Sequence, residues 1–214
     1  MYYLHNIYRL VGIYLNQNLQ EQRKKQILSA ALQVLSEKGY EQSRMDDIVD
    51  QSELSKGAIY WYYKSKEEVY LSLVDYWFSQ YSAGVIEAMQ EKKLASAKLK
   101  ALFDFFLDQF KMNSSVFKVL VEFWRLAGIS TNFNLKLQKV YSEFLDYVIY
   151  IIESGVSNGE FKNVNPRITA LSIVINIEGI NWFTLFKESG VDAEDYIDTI
   201  SSFILNGLKK KENK

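Results

Sequence analysis

One short segment of the chain, Ser55 to Tyr63, concentrates side chains that can donate hydrogen bonds to a nucleic acid. Lys56 can donate to O6 and N7 of guanine or to a phosphate. The hydroxyls of Tyr60 and Tyr62 can bond to phosphates, which position a protein on a duplex without carrying sequence information. These residue types therefore predict contact with double-stranded DNA rather than a covalent reaction.

The same segment fits a short helix that is anchored on one face and open on the other. Ile59 and Tyr63 are spaced i, i+4, so both can face a core together with Ile48 and Val49. Small residues on the open side let the backbone approach DNA, and an alanine methyl can touch the methyl group of thymine. The alternative is that the tyrosines are core aromatics, and Trp61 fits either face. The residues expected on or near the open side are Lys56, Gly57, Ala58, Tyr60, Trp61 and Tyr62.

Further candidate phosphate contacts lie at the starts of two neighbouring helices. Lys66 follows the predicted helix cap Ser65, and the N-terminus of a helix favours an anion. Ser43, a predicted N-cap, and Arg44 open an earlier helix and can clamp another phosphate. The alternative for Lys56 and Lys66 is an ordinary role as surface lysines.

Large apolar and aromatic residues recur at helical spacing from about residue 70 onwards, and most of them predict a core stripe. Cavities lined by aromatic rings and a few polar groups are also typical of small-molecule sites. The candidate effector-binding residues are Trp77, Tyr81, Phe106, Phe110, Glu122, Phe123, Tyr147, Asn176 and Glu178.

Polar residues inside this apolar region need partners, because a polar group buried alone is costly. Glu122 lies beside aromatic residues, and Asn176, Glu178 and Asn181 lie in a strongly apolar helix. They can pair with a second subunit, with Arg125 or with water. The sharper hypothesis is that Glu122 or Glu178 binds a polar or cationic part of an effector.

The usual catalytic residue types are scarce. The chain contains no Cys, and its one His, His5, lies in an N-terminal stretch. No Gly-rich phosphate loop, dinucleotide fingerprint or His-based metal cluster is present in the sequence. The carboxylate pairs Glu67-Glu68 and Asp46-Asp47 lie at helix starts, where they favour capping. We therefore expect no enzyme, no metal site and no cofactor.

Bulk composition limits how the chain can reach its partners. The net charge is −1, so any DNA contact must come from a local patch, and 48% hydrophobic residues allow a sizeable core. The apolar N-terminal run is too short to span a bilayer, and we expect no other run to be long and uncharged enough. We expect a cytoplasmic protein without a membrane segment.

The elements that position these residues are predicted to be helices, since the chain has a single proline, Pro166, and no convincing strand alternation. Ile27, Ala30, Ala31, Val34 and Leu35 fall on one apolar face of the first helix, and Gly39 is expected to end this helix in a left-handed conformation. Ser52-Glu53-Leu54 forms a tight turn between two short helices, and the turn is expected to place Glu53 in a left-handed conformation that costs more for Glu than for Gly. Ser55 is the predicted cap of the second short helix, and Asn165 before Pro166 is a predicted helix start. The predicted helices span about 21–38, 44–51, 55–62, 65–90, 95–112, 115–128, 132–157, 166–188 and 192–209.

The motifs between Arg23 and Leu73 resemble, in order and spacing, the DNA-binding domain of the TetR (tetracycline-repressor) family. The motifs are Ile27–Leu32, Gly39-Tyr40, Asp47–Val49, Ser55–Tyr63 and Lys66–Val69. The turn departs from the family pattern, with Ser52-Glu53 where a small residue and Gly are usual. Ala58 stands where the family often has a hydroxyl residue, and the acids Asp46, Asp47, Asp50 and Glu53 make this region weakly basic.

The resemblance implies an all-α chain with an N-terminal three-helix helix-turn-helix domain and a larger C-terminal helical domain for ligand binding and dimerisation. We expect an accessory arm over 1–20, the DNA-binding domain over 21–81 and the effector and dimer domain over 82–214. The implied function is a transcriptional regulator, usually a repressor, whose homodimer binds a palindromic operator and is released by an unknown small molecule. The helices near 166–188 and 192–209 would form the dimer, or alternatively an internal core. A helical interaction protein without DNA binding is the alternative function.

Overall fold

The computed structural model describes the backbone of residues 2–186 and 190–210, and the side chains of residues 18–114, 117–186 and 190–210. Within these residues the regular elements are helices, with one isolated antiparallel bridge between Phe161 and Lys209. The expected all-α class is therefore confirmed. The helices are α1 (Tyr2–Gln42), α2 (Met45–Ser52), α3 (Lys56–Tyr62), α4 (Lys66–Met89), α5 (Ala95–Ile129), α6 (Thr131–Ser157), α7 (Pro166–Glu178), α8 (Trp182–Leu185) and α9 (Ala193–Leu208).

The chain divides into two compact units, Met1–Tyr76 and Trp77–Lys214. In the first unit, α1 packs its apolar face against α2, and α2 packs against α3. Gly39 interrupts α1 at a φ of 70° and a ψ of 173°, so the break lies where it was predicted, in an extended positive-φ conformation that favours glycine rather than in a left-handed helical cap. The predicted face of α1 is buried at every position, namely Ile27, Ala30, Ala31, Val34 and Leu35.

Local hydrogen bonds explain where the short helices begin. The Ala58 amide donates to Ser55 Oγ over 3.2 Å, and the Glu68 amide donates to Ser65 Oγ over 3.2 Å, so both predicted caps are confirmed. Glu53 adopts the left-handed conformation, with φ 58° and ψ 22°, that the turn requires of it. A left-handed non-glycine residue costs about 1–2 kcal/mol, so the turn is held by the packing on either side of it.

The prediction that Ser43 caps α2 is wrong. Arg44 occupies the N-cap position, and its amide donates to the Asp47 carboxylate over 2.7 Å. Ser43 is buried, and its hydroxyl donates instead to the Tyr40 carbonyl over 2.8 Å. The end of α1 has carbonyls that lack helical partners, and Ser43 satisfies one of them.

The second unit is formed by long helices, with α5 packed against α6 and α9, and α6 against α7. α5 is interrupted at Asn113, where φ is −157° and ψ is 80°, which lies inside the predicted break between helices 95–112 and 115–128. α7 begins with Asn165 as its cap and Pro166 in its first turn, as predicted. Large buried side chains of this unit's core include Phe103, Phe117, Phe161, Leu99 and Met89.

The single helix predicted over 166–188 is wrong. α7 ends at Glu178, a 3-10 turn covers Gly179–Asn181, and α8 is only four residues long. A Cβ atom on Gly179 would lie 2.5 Å from the hydroxyl oxygen of Tyr196, so the glycine lets α9 approach. That hydroxyl donates to the Asn176 carbonyl over 3.0 Å, which secures the change of direction. Residues 187–189 lie outside the described residues.

Within the single chain, α7 is buried on one face only. Ala170, Ile173, Val174 and Ile177 are buried, whereas the opposite stripe is exposed. In the described part of the chain, Pro166–Leu185 has the length and composition of a membrane span, contrary to expectation, with a mean hydropathy of 1.4. The segment is broken by the 3-10 turn, and one face packs on the helical core. The exposed stripe consists of Ile168, Leu171 and Ile175.

A carboxylate from a distant part of the chain caps α5. Leu94 stands at the N-cap and has no polar side chain that could accept a hydrogen bond from the first amides of the helix. The two carboxylate oxygens of Glu160 take this role and accept from the amides of Ala95 and Ser96, over 2.8 Å each. Partial burial raises the pKa of Glu160, but the hydrogen bonds from Ser96 and Ala95 outweigh this effect and hold the pKa below its ordinary value. The ionised cap therefore stabilises the fold above its ordinary pKa, and the stabilisation is lost as the pH falls through the lower folded value.

Replacing Glu160 with glutamine should lower the free energy of unfolding by about 1 kcal/mol near neutral pH, since a neutral amide is a weaker cap. Urea denaturation of both proteins at about pH 7 and about pH 3.5 measures the difference, which should shrink in acid. Glu153→Gln, at an exposed position of α6, is the matched control and should change little. An equal loss for both variants, or a Glu160 effect independent of pH, would contradict the capping role.

Candidate functional site

One face of α3 packs against the core, and the opposite face is exposed. Ile59 is fully buried and Tyr63 is 6% exposed, so both face the core with Ile48, as the spacing predicts. Lys56 and Gly57 are exposed at the start of α3. A Cβ atom on Gly57 would meet no atom within 4 Å, so nothing inside the protein requires glycine there. The open space in front of α3 is therefore available to an external partner.

The aromatic residues of α3 form an exposed edge. Trp61, whose position the sequence left undecided, is 63% exposed and is not a core residue. Its ring meets Tyr62 edge-on, with ring centroids 4.6 Å apart. Tyr60 and Tyr62 are partly buried, which leaves part of each side chain accessible. A shallow groove beside this edge is lined by Leu19, Gln20, Arg23, Ala58, Trp61 and Tyr62.

Acidic residues near α3 are paired with basic ones. Lys56 Nζ lies 2.6 Å from Asp46 Oδ1, and the hydrogen bond with this carboxylate raises the pKa of Lys56. Lys38 Nζ lies 2.7 Å from Asp47 Oδ1, and the hydrogen bond from Lys38 is the main cause that lowers the pKa of Asp47. The weak basicity expected for this unit is thus the result of local ion pairs. Lys56 can reach a phosphate or base only by exchanging Asp46 for it.

Two predicted phosphate ligands are engaged inside the protein. Lys66 Nζ donates to the carbonyls of Tyr40 and Ser43 over 2.7 and 2.9 Å and lies 4.2 Å from the centroid of the Tyr40 ring. The Ser43 side chain is 2% exposed. Both residues donate hydrogen bonds to carbonyls at the end of α1. The Ser43 hydroxyl and the Lys66 ammonium group would therefore have to bind a phosphate in addition to these carbonyls. Arg44 is exposed beside them.

Arg23 was not predicted as part of this surface, although it lines the groove beside α3. It donates to Gln26 Oε1 over 2.8 Å, and Gln26 in turn donates to the Ser52 carbonyl over 2.7 Å. The sequence offered no signal for Arg23, because its place beside α3 depends on how α1 packs against the turn.

A pocket lies among helices of the second unit and encloses about 490 Å³ of space between atoms, part of it open to solvent. Its walls are aromatic and aliphatic, with only a few polar groups, as small-molecule sites usually are. The lining residues are Trp77, Phe78, Tyr81, Ser82, Val85, Phe106, Phe117, Leu120, Tyr141, Phe144, Val174, Ile177, Glu178, Ile180 and Asn181.

The pocket brings together four of the predicted effector residues. Trp77 stacks on Tyr81 with ring centroids 4.1 Å apart, and Tyr81 stacks on Phe106 at 5.9 Å. Glu178, at the end of α7, supplies the carboxylate. These four residues come from α4, α5 and α7, and Tyr141 and Phe144 of α6 complete the wall with them.

The other five predicted effector residues do not line the pocket. Glu122 forms an ion pair with Arg125 over 2.8 Å, the partner considered from the sequence. The Asn176 amide donates to the Ser172 carbonyl over 2.8 Å. Phe123 is buried completely in the core. Phe110 and Tyr147 pack against the core beside the pocket.

Glu178 is the acidic group of the pocket. Burial raises the pKa of Glu178 to about 7, and a hydrogen-bonding contact with Tyr141 opposes this rise. The Tyr141 hydroxyl accepts from Trp124 Nε1 over 2.8 Å, and burial together with Glu178 raises its own pKa. At neutral pH the carboxyl is thus close to the midpoint of its titration.

Two polar atoms of the pocket wall have no hydrogen-bond partner among the described residues. Trp77 Nε1 is a donor and Asn181 Oδ1 is an acceptor, and both atoms are buried. Asn181 uses its amide nitrogen to donate to the Glu178 carbonyl over 2.8 Å, which fixes the orientation of its oxygen. A ligand or water can satisfy both atoms, since a buried unpaired polar group is costly.

Comparisons with known proteins agree with this architecture. Residues 27–73 match the family model of the bacterial regulatory proteins of the tetR family. The HTH-type transcriptional regulator YfiR of Bacillus subtilis is 25% identical over 205 residues, which cover 90% of this chain and 95% of that protein.

Solved structures share the fold over nearly the whole chain. A transcriptional regulator from Saccharomonospora viridis in complex with choline matches with a TM-score of 0.79 and 16% identity, covering 89% of this chain and 100% of that one. The regulator FadR from Bacillus subtilis in complex with stearoyl-CoA matches with a TM-score of 0.75 and 22% identity, covering 86% and 98%. Residues 27–73 thus carry the DNA-binding domain of the tetR family of bacterial regulatory proteins, and the aligned regulators support a TetR-family transcriptional regulator.

Proposed function

We propose that this protein is a ligand-responsive transcription regulator, whose homodimer represses from a palindromic operator and is released by a small molecule. The observation that carries the proposal is α3, a short helix whose Ile59 and Tyr63 are buried while Lys56, Gly57 and Trp61 are exposed. A helix anchored in this way can enter the major groove.

The contacts of α3 divide into base readout and phosphate binding. Lys56 and Ala58, near the N-terminus of α3, meet base edges, while Tyr60, Trp61 and Tyr62 contact the backbone. Arg44 and Arg23 extend the phosphate contacts on either side, and Gly57 allows close approach. Ser43 and Lys66 act less directly, by holding the end of α1 in place.

The exposed apolar stripe of α7 supports a homodimer. Ile168, Leu171 and Ile175 follow one another at helical spacing on a face that a single chain leaves in water, and Phe203 of α9 is 74% exposed. Such a patch is typical of a protein interface. Two helices from each protomer would pack as a four-helix interface, and its two-fold symmetry would match two operator half-sites.

A small molecule acts by favouring the conformation that does not fit the operator. Trp77, Phe78 and Tyr81 of α4 line the pocket, while Val69 and Leu73 of the same helix belong to the core of the DNA-binding unit. A ligand that displaces the pocket end of α4 would change the separation of the two α3 helices. Only a ligand with different affinities for the two states can do this.

The comparisons and the sequence leave catalysis without support. The aligned relative YfiR is a transcriptional regulator, and the pocket wall offers one carboxylate and no nucleophile–base pair. The proposal accordingly includes no cofactor, no metal and a cytoplasmic location without membrane insertion. A helical interaction protein that has lost DNA binding is the second candidate, and the ion pairs of Asp46 and Asp47 are the observation in its favour.

Selection of bound duplexes from a random DNA pool, followed by release assays on the selected site, tests the proposal. We expect a palindromic site, and we expect a pocket ligand to lower its affinity at least about tenfold, a coupling within the usual range of allosteric proteins. Ser82→Trp, which places a large ring in the pocket, should abolish ligand binding while DNA binding persists, and Ser79→Trp on the same helix is the control. Recovery of no preferred sequence would favour the interaction protein.

A further inference from the structure

We propose that the effector is an apolar organic cation, a tertiary or quaternary ammonium compound whose charge pairs with Glu178 and whose apolar groups lie against the surrounding aromatic rings. The inference rests on the proposed function, because it names the ligand class of the same pocket. Of the two candidate carboxylates, we assign the cation to Glu178, because Glu122 is already paired with Arg125.

The first argument is a carboxylate without a counter-charge. None of the fifteen residues that line the pocket is Lys, Arg or His, and Glu178 is their single carboxylate. Among the described side chains, the contact that favours its ionised form comes from the Tyr141 hydroxyl, which carries no charge. A carboxylate removed from water is stabilised when an opposite charge comes within about 4–6 Å. A bound cation would supply that charge.

The second argument is the wall around the carboxylate. Seven of the lining residues are aromatic, and three of them, Trp77, Tyr81 and Phe106, form a stack with centroid spacings of 4.1 and 5.9 Å. Aromatic faces attract a cation, and the attraction is strongest where water is excluded. Alkyl groups on the ammonium nitrogen would bury apolar area against the same rings.

The charge of the pocket disfavours an anionic ligand. A fatty acid or an acyl-CoA would bring a carboxylate or phosphates toward Glu178, and no basic residue lines the pocket to offset the repulsion. The unpaired atoms Trp77 Nε1 and Asn181 Oδ1 add one donor and one acceptor. A hydroxyl or carbonyl group on the cation would satisfy them.

The pH dependence follows from the groups that line the pocket. These are Glu178, Tyr81 and Tyr141, and burial raises the pKa of Tyr81 to about 12, so both tyrosines stay neutral at working pH. Only ionised Glu178 pairs with a cation. Cation affinity should therefore rise with pH up to the pKa of about 7 for this carboxyl and level off above it.

The experiment is calorimetric titration of the full chain with choline and benzyltrimethylammonium. Each cation is compared with its neutral isostere, in which a tert-butyl group replaces trimethylammonium, and decanoate is the anionic probe. We expect a cation to bind at least about tenfold more tightly than its isostere, and this preference should be lost in Glu178→Gln. Glu122→Gln, the same change outside the pocket, should leave both affinities unaltered.

The outcomes separate this inference from the proposed function. Equal binding of cation and isostere, equal affinity in Glu178→Gln, or binding of neither cation would overturn the cation site. If decanoate binds and releases the selected operator, the regulator stands and the ligand class is wrong. If cations bind with the expected dependence on Glu178 but leave operator affinity unchanged, the cation site is supported and the proposed release of DNA by the ligand is contradicted. Circular dichroism of both variants confirms that they are folded.

Discussion

Replacing Lys56 with glutamate is expected to weaken operator binding by about a hundredfold or more, because each of two half-sites loses a contact worth about 1–3 kcal/mol. The substitution also places an acid beside Asp46, which lies 2.6 Å from the lysine nitrogen in the native chain. Lys56 is exposed and supports no core contact, so the fold should persist. Fluorescence anisotropy on the selected duplex measures the loss.

Two matched variants make this result specific. Lys93→Glu makes the same charge change at an exposed position of the other unit and should alter affinity far less. Asp46→Asn leaves Lys56 without its ionic partner and should strengthen binding or leave it equal. Equal losses for Lys56→Glu and Lys93→Glu would mean that only net charge matters and that α3 does not read the groove.

Replacing Ile175 with glutamate should convert the dimer into monomers and raise its dissociation constant by roughly a hundredfold or more, since an unpaired charge buried in an apolar interface costs several kcal/mol. Ile175 is 57% exposed in the single chain, so the helix itself should tolerate the change. Operator binding should fall with the dimer, because one protomer meets one half-site. Sedimentation velocity measures the assembly.

Leu135→Glu is the matched control, since Leu135 is 60% exposed and lies on a different helix, α6. It should leave the dimer intact. If Ile175→Glu fails to fold, Ile175→Ala provides the smaller change and should still weaken the dimer measurably. If neither variant affects the dimer, the interface does not include the α7 stripe.

Local patterns in the sequence predicted much of the fold, because they depend on neighbours along the chain. The apolar face of α1 and the caps at Ser55, Ser65 and Asn165 follow from spacing and local hydrogen bonding. The left-handed Glu53 follows from the geometry of the tight turn, against the backbone preference of the residue. The anchored face of α3 followed from the i, i+4 pair Ile59 and Tyr63.

Features that depend on tertiary packing were not predictable in the same way. Ser43 and Lys66 bind carbonyls at the end of α1, which no local pattern reveals. Phe106 and Phe110 are one helical turn apart and equally aromatic, yet only Phe106 lines the pocket. Tyr141 of α6 and Asn181 of the turn after α7 were not among the candidate effector residues, because their place in the pocket wall depends on tertiary packing.

The central claim is tested most directly by titrating the protein onto its selected duplex at about 50 and about 200 mM salt, with stoichiometry measured by sedimentation. The account predicts protomers bound in pairs on each palindrome and an affinity about a thousandfold weaker at the higher salt, as expected for roughly six phosphate contacts. One protomer per site, or an affinity that does not change with salt, would contradict it.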